Sequence, residues 1–178
     1  MILLVEQLQK PTHLSIEIES RECDLPADIG KVTAPILLDA DAEKIQTEVR
    51  LTGRIRAQIE MTCSRCLRQY QERIDEAFEV MYLPHREPEH HADEVELTEE
   101  DVNVSYYHDE AISLIELVRE QLLLWLPVKP LCREDCAGLC PSCGQDLNEG
   151  ACRCAEQPKD PRLAVLGKLL QPRVEHKI

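Results

Sequence analysis

Eight of the nine cysteines in this chain fall into four close pairs, Cys63/Cys66, Cys132/Cys136, Cys140/Cys143 and Cys152/Cys154. Polar neighbours such as Arg133, Glu134, Asp135, Ser142 and Arg153 leave no apolar run in which these thiols would bury, so the fold must satisfy them another way. Four thiolates close one structural zinc site, and four pairs therefore supply one or two ions. Cys140-Pro-Ser-Cys143-Gly has the form of a zinc knuckle: two sulfurs grip one ion while Gly144 lets the backbone turn tightly beneath it. An odd total clustered in near pairs argues for metal ligation in a reducing compartment rather than for a disulfide framework.

The spacing leaves two ways of sharing the pairs. In the first, Cys63 and Cys66 join Cys132 and Cys136, while Cys140, Cys143, Cys152 and Cys154 form a self-contained second site. In the second, one zinc is held by Cys63, Cys66, Cys140 and Cys143, and the other four thiols are free or redox-labile. The isolated Cys23 reads as a small buried hydrophobe. A redox role for Cys63 and Cys66 fits poorly, because an activated thiol wants a helix N-terminus and this pair lies between two strand patterns.

Those strand patterns dominate the first two thirds of the chain. Leu14, Ile16 and Ile18 alternate with polar residues, and residues 34–39 form another short run with Ile36 and Leu38 facing inward. The clearest strand runs over residues 48–61, with Val49, Leu51, Ile55, Ala57, Ile59 and Met61 on one face and Arg50, Arg54, Arg56 and Glu60 on the other. Tyr70, Ile74, Phe78, Val80 and Tyr82 repeat on even positions directly afterwards, so the two runs are natural antiparallel partners with Cys63-Ser-Arg-Cys66 at the hairpin tip.

Helical signals are fewer. Residues 5–10 suggest a short helix stopped by Pro11. Val102, Val104 and Tyr106 suggest a strand before a helix with a marked start: Ser113 as N-cap, Glu116 as its capping-box partner, and Ile112 with Leu117 as a hydrophobic staple. That helix is expected to run to about Leu126 as a long packed element, its last residues, Leu122 to Leu126, apolar on every face and so packed inside the strands or against a partner. Asp160-Pro-Arg starts a final helix with a stripe of Leu163, Leu166, Leu169 and Leu170. The expected class is α+β: an antiparallel, barrel-like β domain over residues 1–126 with an acidic loop at 84–100 and a capped helix at 113–126, followed by a cysteine-rich zinc module over 127–178.

Charge bounds the partners. The formal net charge is -14, and residues 85–110 carry ten acids against the single base Arg86. A chain this acidic is not drawn as a whole to phosphate or to an anionic membrane, so a basic protein is the easier electrostatic partner. The exception lies at residues 48–73, where six arginines face three glutamates. Arg50, Arg54, Arg56, Arg65, Arg68 and Arg73 are the candidates for touching RNA, Arg65 and Arg68 above all because a metal-ordered turn displays side chains outward. The competing reading is a solvated strand face neutralised by Glu48, Glu60, Glu72 and Glu79. Aromatic residues make up only 3% of the chain, too few for a base-stacking platform.

No catalytic residue is expected. The chain has no phosphate-gripping GxxxxGK[ST], no dinucleotide GxGxxG, no HExxH and no GxSxG. His85-Arg-Glu87 with the later cysteine pair superficially resembles a zinc deaminase. That signature needs proline directly before its first cysteine, and here Leu139 precedes Cys140. A closed all-cysteine zinc site also leaves no open position for substrate. MILLVEQLQKP lacks the positive start of a secretory signal, which places the protein in the cytoplasm as an expectation.

The hairpin pair Cys63-Ser-Arg-Cys66-Leu, the helix Ile115-Glu-Leu-Val-Arg-Glu-Gln-Leu-Leu-Leu leading into Leu126-Pro-Val-Lys-Pro130, the stretch Cys136-Ala-Gly-Leu-Cys-Pro-Ser-Cys-Gly144 followed by Leu147-Asn148, and the final Asp160-Pro-Arg-Leu163 occur together and in this order. In this combination the chain resembles the bacterial YceD family, the large ribosomal RNA subunit accumulation proteins, over nearly everything after about residue 48. The resemblance implies a role in accumulating large-subunit (23S) ribosomal RNA, hence in ribosome biogenesis, without a known catalytic activity. It makes a ribosomal protein or an rRNA precursor the implied partner. With the charge distribution, the expectation is that residues 85–110 contact a basic partner while the arginines of the hairpin tip meet rRNA.

Overall fold

The computed structural model describes residues 1–85 and 104–154. Most of the acidic loop, Val102 and the helix expected from Asp160 lie outside the described residues. The described chain runs β1 (Ile2–Leu4), a 3-10 turn (Val5–Gln7), β2 (Thr12–Ile18), β3 (Lys31–Val32), β4 (Ile36–Ile45), β5 (Glu48–Thr62), β6 (Gln69–Pro84), β7 (Val104–Tyr107), β8 (Ala111–Ser113) and the helix α1 (Leu114–Trp125).

Everything is built on the β5–β6 hairpin. Its ladder runs from Val49 opposite Tyr82 to Thr62 opposite Gln69. The period-2 pattern is realised as expected, with Val49, Leu51, Ile55, Ala57, Ile59 and Met61 of β5 and Ile74, Phe78, Val80 and Tyr82 of β6 buried. Each large aliphatic side chain removed from water in this way contributes about 1.5–3 kcal/mol. Gly53 interrupts the series because nothing larger fits: a Cβ there would lie 2.3 Å from the Asp39 carbonyl oxygen of β4. Phe78 stands opposite it in register.

The main sheet has the order β2-β4-β5-β6-β7, with β3 pairing β5 beyond the end of β4. It is open, with β2 and β7 as edges, so the expected barrel is not formed among the described residues. It is also mixed: β7 runs parallel to β6, Met81 opposite Val104 and Pro84 opposite Tyr107. The phase of β7 is shifted by one from the expected alternation. Tyr107 is buried and its hydroxyl donates to the Thr47 carbonyl at 2.7 Å, while Tyr106 is exposed.

A second, two-stranded sheet of β1 and β8 and the helix α1 cover the inner face. The helix expected over residues 5–10 is reduced to the 3-10 turn at Val5–Gln7, preceded by β1. The N-terminal residues pair with β8 instead, and the Val5 amide donates to the Glu110 carbonyl at 2.8 Å. The start of α1 follows the sequence: Ser113 is the N-cap, the Glu116 amide donates to its Oγ at 3.3 Å, and Ile112 and Leu117 are both buried. The helix is not the long packed element expected, having 12 residues, or about 18 Å. Its apolar end is packed on one side only, since Leu122 and Leu126 are buried whereas Leu124 is 75% exposed. Pro127 then prevents the helix from continuing. Among the described residues no helix is long and apolar enough to cross a membrane.

Candidate metal centres

The first centre is assembled at the tip of the β5–β6 hairpin. Beyond Thr62 and Gln69 the turn is closed by two hydrogen bonds, the Cys63 amide to the Arg68 carbonyl at 2.9 Å and the Leu67 amide to the Cys63 carbonyl at 3.0 Å. This holds Leu67 in the left-handed region at φ 59. The chain leaving α1 crosses the tip, where the Ser64 amide donates to the Pro130 carbonyl at 2.8 Å, and this delivers Cys132 and Cys136 beside Cys63 and Cys66. Cys63, Cys66 and Cys136 are buried, Cys132 is half-buried, and Tyr70, Leu131 and Leu139 pack around them.

The second centre repeats the turn in the tail. Leu139 and Asp146 form an antiparallel bridge, beyond which the Cys140 amide donates to the Gln145 carbonyl at 2.8 Å and the Gly144 amide to the Cys140 carbonyl at 2.9 Å. Gly144 takes the position of Leu67, at φ 74. Cys152 and Cys154 come round to complete a tetrad with Cys140 and Cys143. Cys140 is buried and Cys152 half-buried, while Cys143 and Cys154 are exposed.

In each group the four sulfurs lie within 4.8 Å of one another. The structure thus divides the pairs as in the first of the two arrangements, and Cys63 and Cys66 do not meet Cys140 and Cys143. Tetrahedral coordination at a metal–sulfur distance near 2.3 Å sets neighbouring sulfurs about 3.8 Å apart. Cys63 and Cys136 are 3.8 Å apart and Cys66 and Cys132 3.7 Å, far beyond disulfide bonding, while Cys140 and Cys152 are closer at 3.3 Å. Four thiols with no oxygen donor fit a soft or borderline ion. The backbone assists them. Burial pushes the Cys63 thiol up, but the amides of Cys132, Cys66 and Arg65 outweigh it and bring it to about 6. At the second centre the amides of Cys143 and Ser142 and the Cys152 thiol bring Cys140 to about 6. Burial and three neighbouring thiols push Cys132 up to about 12, and the Cys143 thiol is the main cause raising Cys154 to about 12. Cys23 is buried alone, its thiol pushed up chiefly by burial.

The six arginines are not equivalent. Arg65 and Arg68 turn toward the tail: Arg65 donates to the carbonyls of Cys136 at 2.9 Å and Glu134 at 3.3 Å, and Arg68 pairs with Asp146 at 3.0 Å and Glu149 at 2.8 Å. Arg50 pairs with Glu43, and Arg54 with Asp75 at 2.9 Å, from which Arg56 stands 3.8 Å away. The acids that meet the strand arginines are therefore Glu43 and Asp75 rather than the four glutamates expected. Among the described residues Arg73 is in no ion pair or side-chain hydrogen bond. Asn148 was legible only as part of a motif, yet its side chain reaches the sulfur of Cys136. The nearest local signal is the Asp146-Leu-Asn148 turn, whose Asn148 amide bonds the Asp146 carboxylate at 2.9 Å.

A family model described as "Large ribosomal RNA subunit accumulation protein YceD" matches residues 51–170, a span that includes both tetrads. Uncharacterized proteins of Mycobacterium bovis and Mycobacterium tuberculosis are each 37% identical to the chain over 172 residues, 97% of this chain and 75% of theirs. An Arabidopsis thaliana protein named "Large ribosomal RNA subunit accumulation protein YCED homolog 1, chloroplastic" is 25% identical over 157 residues, 76% of this chain and 48% of its own. No solved structure matches. The chain belongs to the YceD family.

Proposed function

We propose that this protein is a non-enzymatic, zinc-stapled ribosome-biogenesis factor of the cytoplasm, needed for accumulation of large-subunit (23S) ribosomal RNA. The observation that carries the reading is membership of a family named for that role, in a chain whose best-formed sites are two all-cysteine tetrads. A tetrathiolate ion is closed to substrate, so its work is folding: it ties the tail to the hairpin and shapes a surface. Zinc is the ion this donor set suits best without redox chemistry. The excess of acid supports a basic ribosomal protein as the partner, with an rRNA precursor meeting the arginine-bearing face of β5 and β6.

The test is depletion of the protein followed by sedimentation of ribosomal particles, with the zinc-loaded protein tracked across the gradient. A deficit of large subunits and co-migration with a precursor particle are expected. Normal subunits and no co-migration would remove the reading.

A second reading, a zinc-stabilised adaptor between proteins that never touches RNA, is favoured by the engagement of Arg65 and Arg68 with the tail. Arg56→Glu with Arg73→Glu separates the two, because neither side chain supports a metal centre. Loss of rRNA crosslinking with retained protein binding supports RNA contact; no crosslinking in the parent protein supports the adaptor. A thiol redox protein would instead contain no zinc and would cycle Cys63 and Cys66 between thiol and disulfide.

A further inference from the structure

Asn148 lies in the tail loop between Cys143 and Cys152, two members of the second tetrad, but its carboxamide is spent on the first. Its Nδ2 lies 2.6 Å from Asp146 Oδ1 and 3.5 Å from Cys136 Sγ. Its Oδ1 accepts from the Ala137 amide at 2.8 Å and from Arg133 Nη2 at 2.7 Å. Two donors on one side and two acceptors on the other define which way the amide points. A flipped amide would aim its N–H groups at two donors. One side chain thus holds a ligand sulfur, the amide of the residue after it and an arginine of the same segment.

The loop that presents Asn148 has no buried side chain of its own between residues 141 and 151. Residues 141–145 are exposed, residues 146–148 are half-buried, and residues 149–151 are exposed. Apart from its thiols and the Asn148 contacts, it is held by the Leu139–Asp146 bridge, the Cys140, Gly144 and Glu149 turn bonds, the Leu147 amide to the Gly138 carbonyl and the Arg68 ion pairs. An ion on four thiolates supplies the cross-link that a polar loop of this kind lacks. A metal-bound thiolate also carries excess negative charge, and an N–H aimed at its sulfur favours the bound, deprotonated form.

We propose that the tail tetrad sets the metal affinity of the hairpin tetrad through Asn148. When Cys140, Cys143, Cys152 and Cys154 hold their ion, the loop is ordered and the Asn148 N–H is delivered to Cys136. When they lose it, the donor is withdrawn and the first ion is held more weakly. By linkage the effect is reciprocal. The tail tetrad, with two exposed thiols, is the one a competitor reaches first, so loss of metal proceeds from tail to hairpin. The proposal rests on the reading that both tetrads bind metal.

The experiment titrates the full chain with zinc against a chromogenic chelator and resolves the two stepwise affinities. Cys143→Ser with Cys154→Ser is expected to lower the hairpin affinity about 10–100-fold, the usual cost of losing an outer-shell hydrogen bond. Asn148→Asp keeps the side-chain size and the acceptors for Arg133 and Ala137 but replaces the N–H by a charged oxygen facing Asp146, and Asn148→Leu removes the N–H without adding charge; both are expected to lower it by a similar factor. Combining the cysteine and Asn148 changes should weaken binding no further than either alone, while amide protection in β5 and β6 stays at the parent level. A hairpin affinity within about threefold of the parent in any of these variants, or losses that multiply when combined, would overturn the coupling while leaving two metal sites in place. A parent chain that binds no zinc would overturn both the coupling and the reading beneath it.

Discussion

Cys63 and Cys66 stand at the end of a hairpin with an unbroken ladder, while Cys140 and Cys143 stand on a single bridge between Leu139 and Asp146. The turns themselves are alike: first-cysteine amide to the carbonyl five residues on, an amide returning to that cysteine, and a residue at positive φ just after the second cysteine. What differs is the support. One knuckle sits on a sheet that folds around its own core, so an ion held there would close an existing structure. The other sits on a polar loop, so an ion held there would have to create the structure it occupies. The same motif is a clasp in one place and a nucleus in the other.

Acid should be the largest perturbation and should leave the two alike. Cys63 and Cys140 are both held at about 6 rather than the ordinary 9.0. A depressed thiol stabilises the metal-free fold fully above its unfolded value and loses that contribution as pH falls through about 6. Protons then compete for every ligand. Equilibrium dialysis from about pH 8 to about pH 5 should show both ions released. Retention of one ion at the acid end would mean that burial separates the centres in acid as well as in support.

Cys136→Ser comes next. It should cost one ion and destabilise the chain by roughly 5 kcal/mol, a fraction of the ~10–16 kcal/mol apparent for structural zinc, read from the urea midpoint with metal counted by native mass spectrometry. Cys154→Ser should cost the other ion but only about 1–3 kcal/mol, with amide protection lost mainly in residues 139–149. Equal losses from the two would erase the distinction between clasp and nucleus.

Smaller effects test the shared turn. Leu67→Gly relieves a left-handed side chain worth about 1–2 kcal/mol but adds unfolded-chain freedom worth about 0.5–1 kcal/mol, so a net gain of about 0–1.5 kcal/mol is expected at the hairpin. Gly144→Ala should cost about 1 kcal/mol at the tail. Opposite signs would confirm that the two positions are equivalent; a loss at both would show that Leu67 is held by contacts specific to the hairpin. The smallest change is Arg68→Ala. Its side chain is 54% exposed and its ion pairs are worth roughly 0.5 kcal/mol, measured by the same urea transition.

Much of this was legible because it is periodic or local. Alternation located β5 and β6 and their inward faces, a cap at Ser113 located the start of α1, and pair counting gave the division of cysteines that the fold adopts as one of two options. The failures share a physical cause. The β1–β8 pairing joins residues more than a hundred positions apart, and a short N-terminal apolar run reads equally as helix or strand until its partner is known. Leu124 is not packed inside the strands, the first of the two expectations for it, because a 12-residue helix on one face of a sheet buries only one side. Arg65, Arg68 and Asn148 make polar contacts across long sequence separations, and no periodicity marks those. An arginine on a turn looks displayed until the tail that it binds is in place.

The parallel pairing of β7 with β6 has a geometric consequence. The chain leaves β6 after Pro84 and re-enters at Val104, and both points lie at the end of the hairpin opposite its cysteines. The described residues that flank the acid-rich stretch therefore lie at one end of the hairpin and the Cys63–Cys66 tip at the other, separated along β5 by about 50 Å of strand contour. The hairpin acts as a spacer.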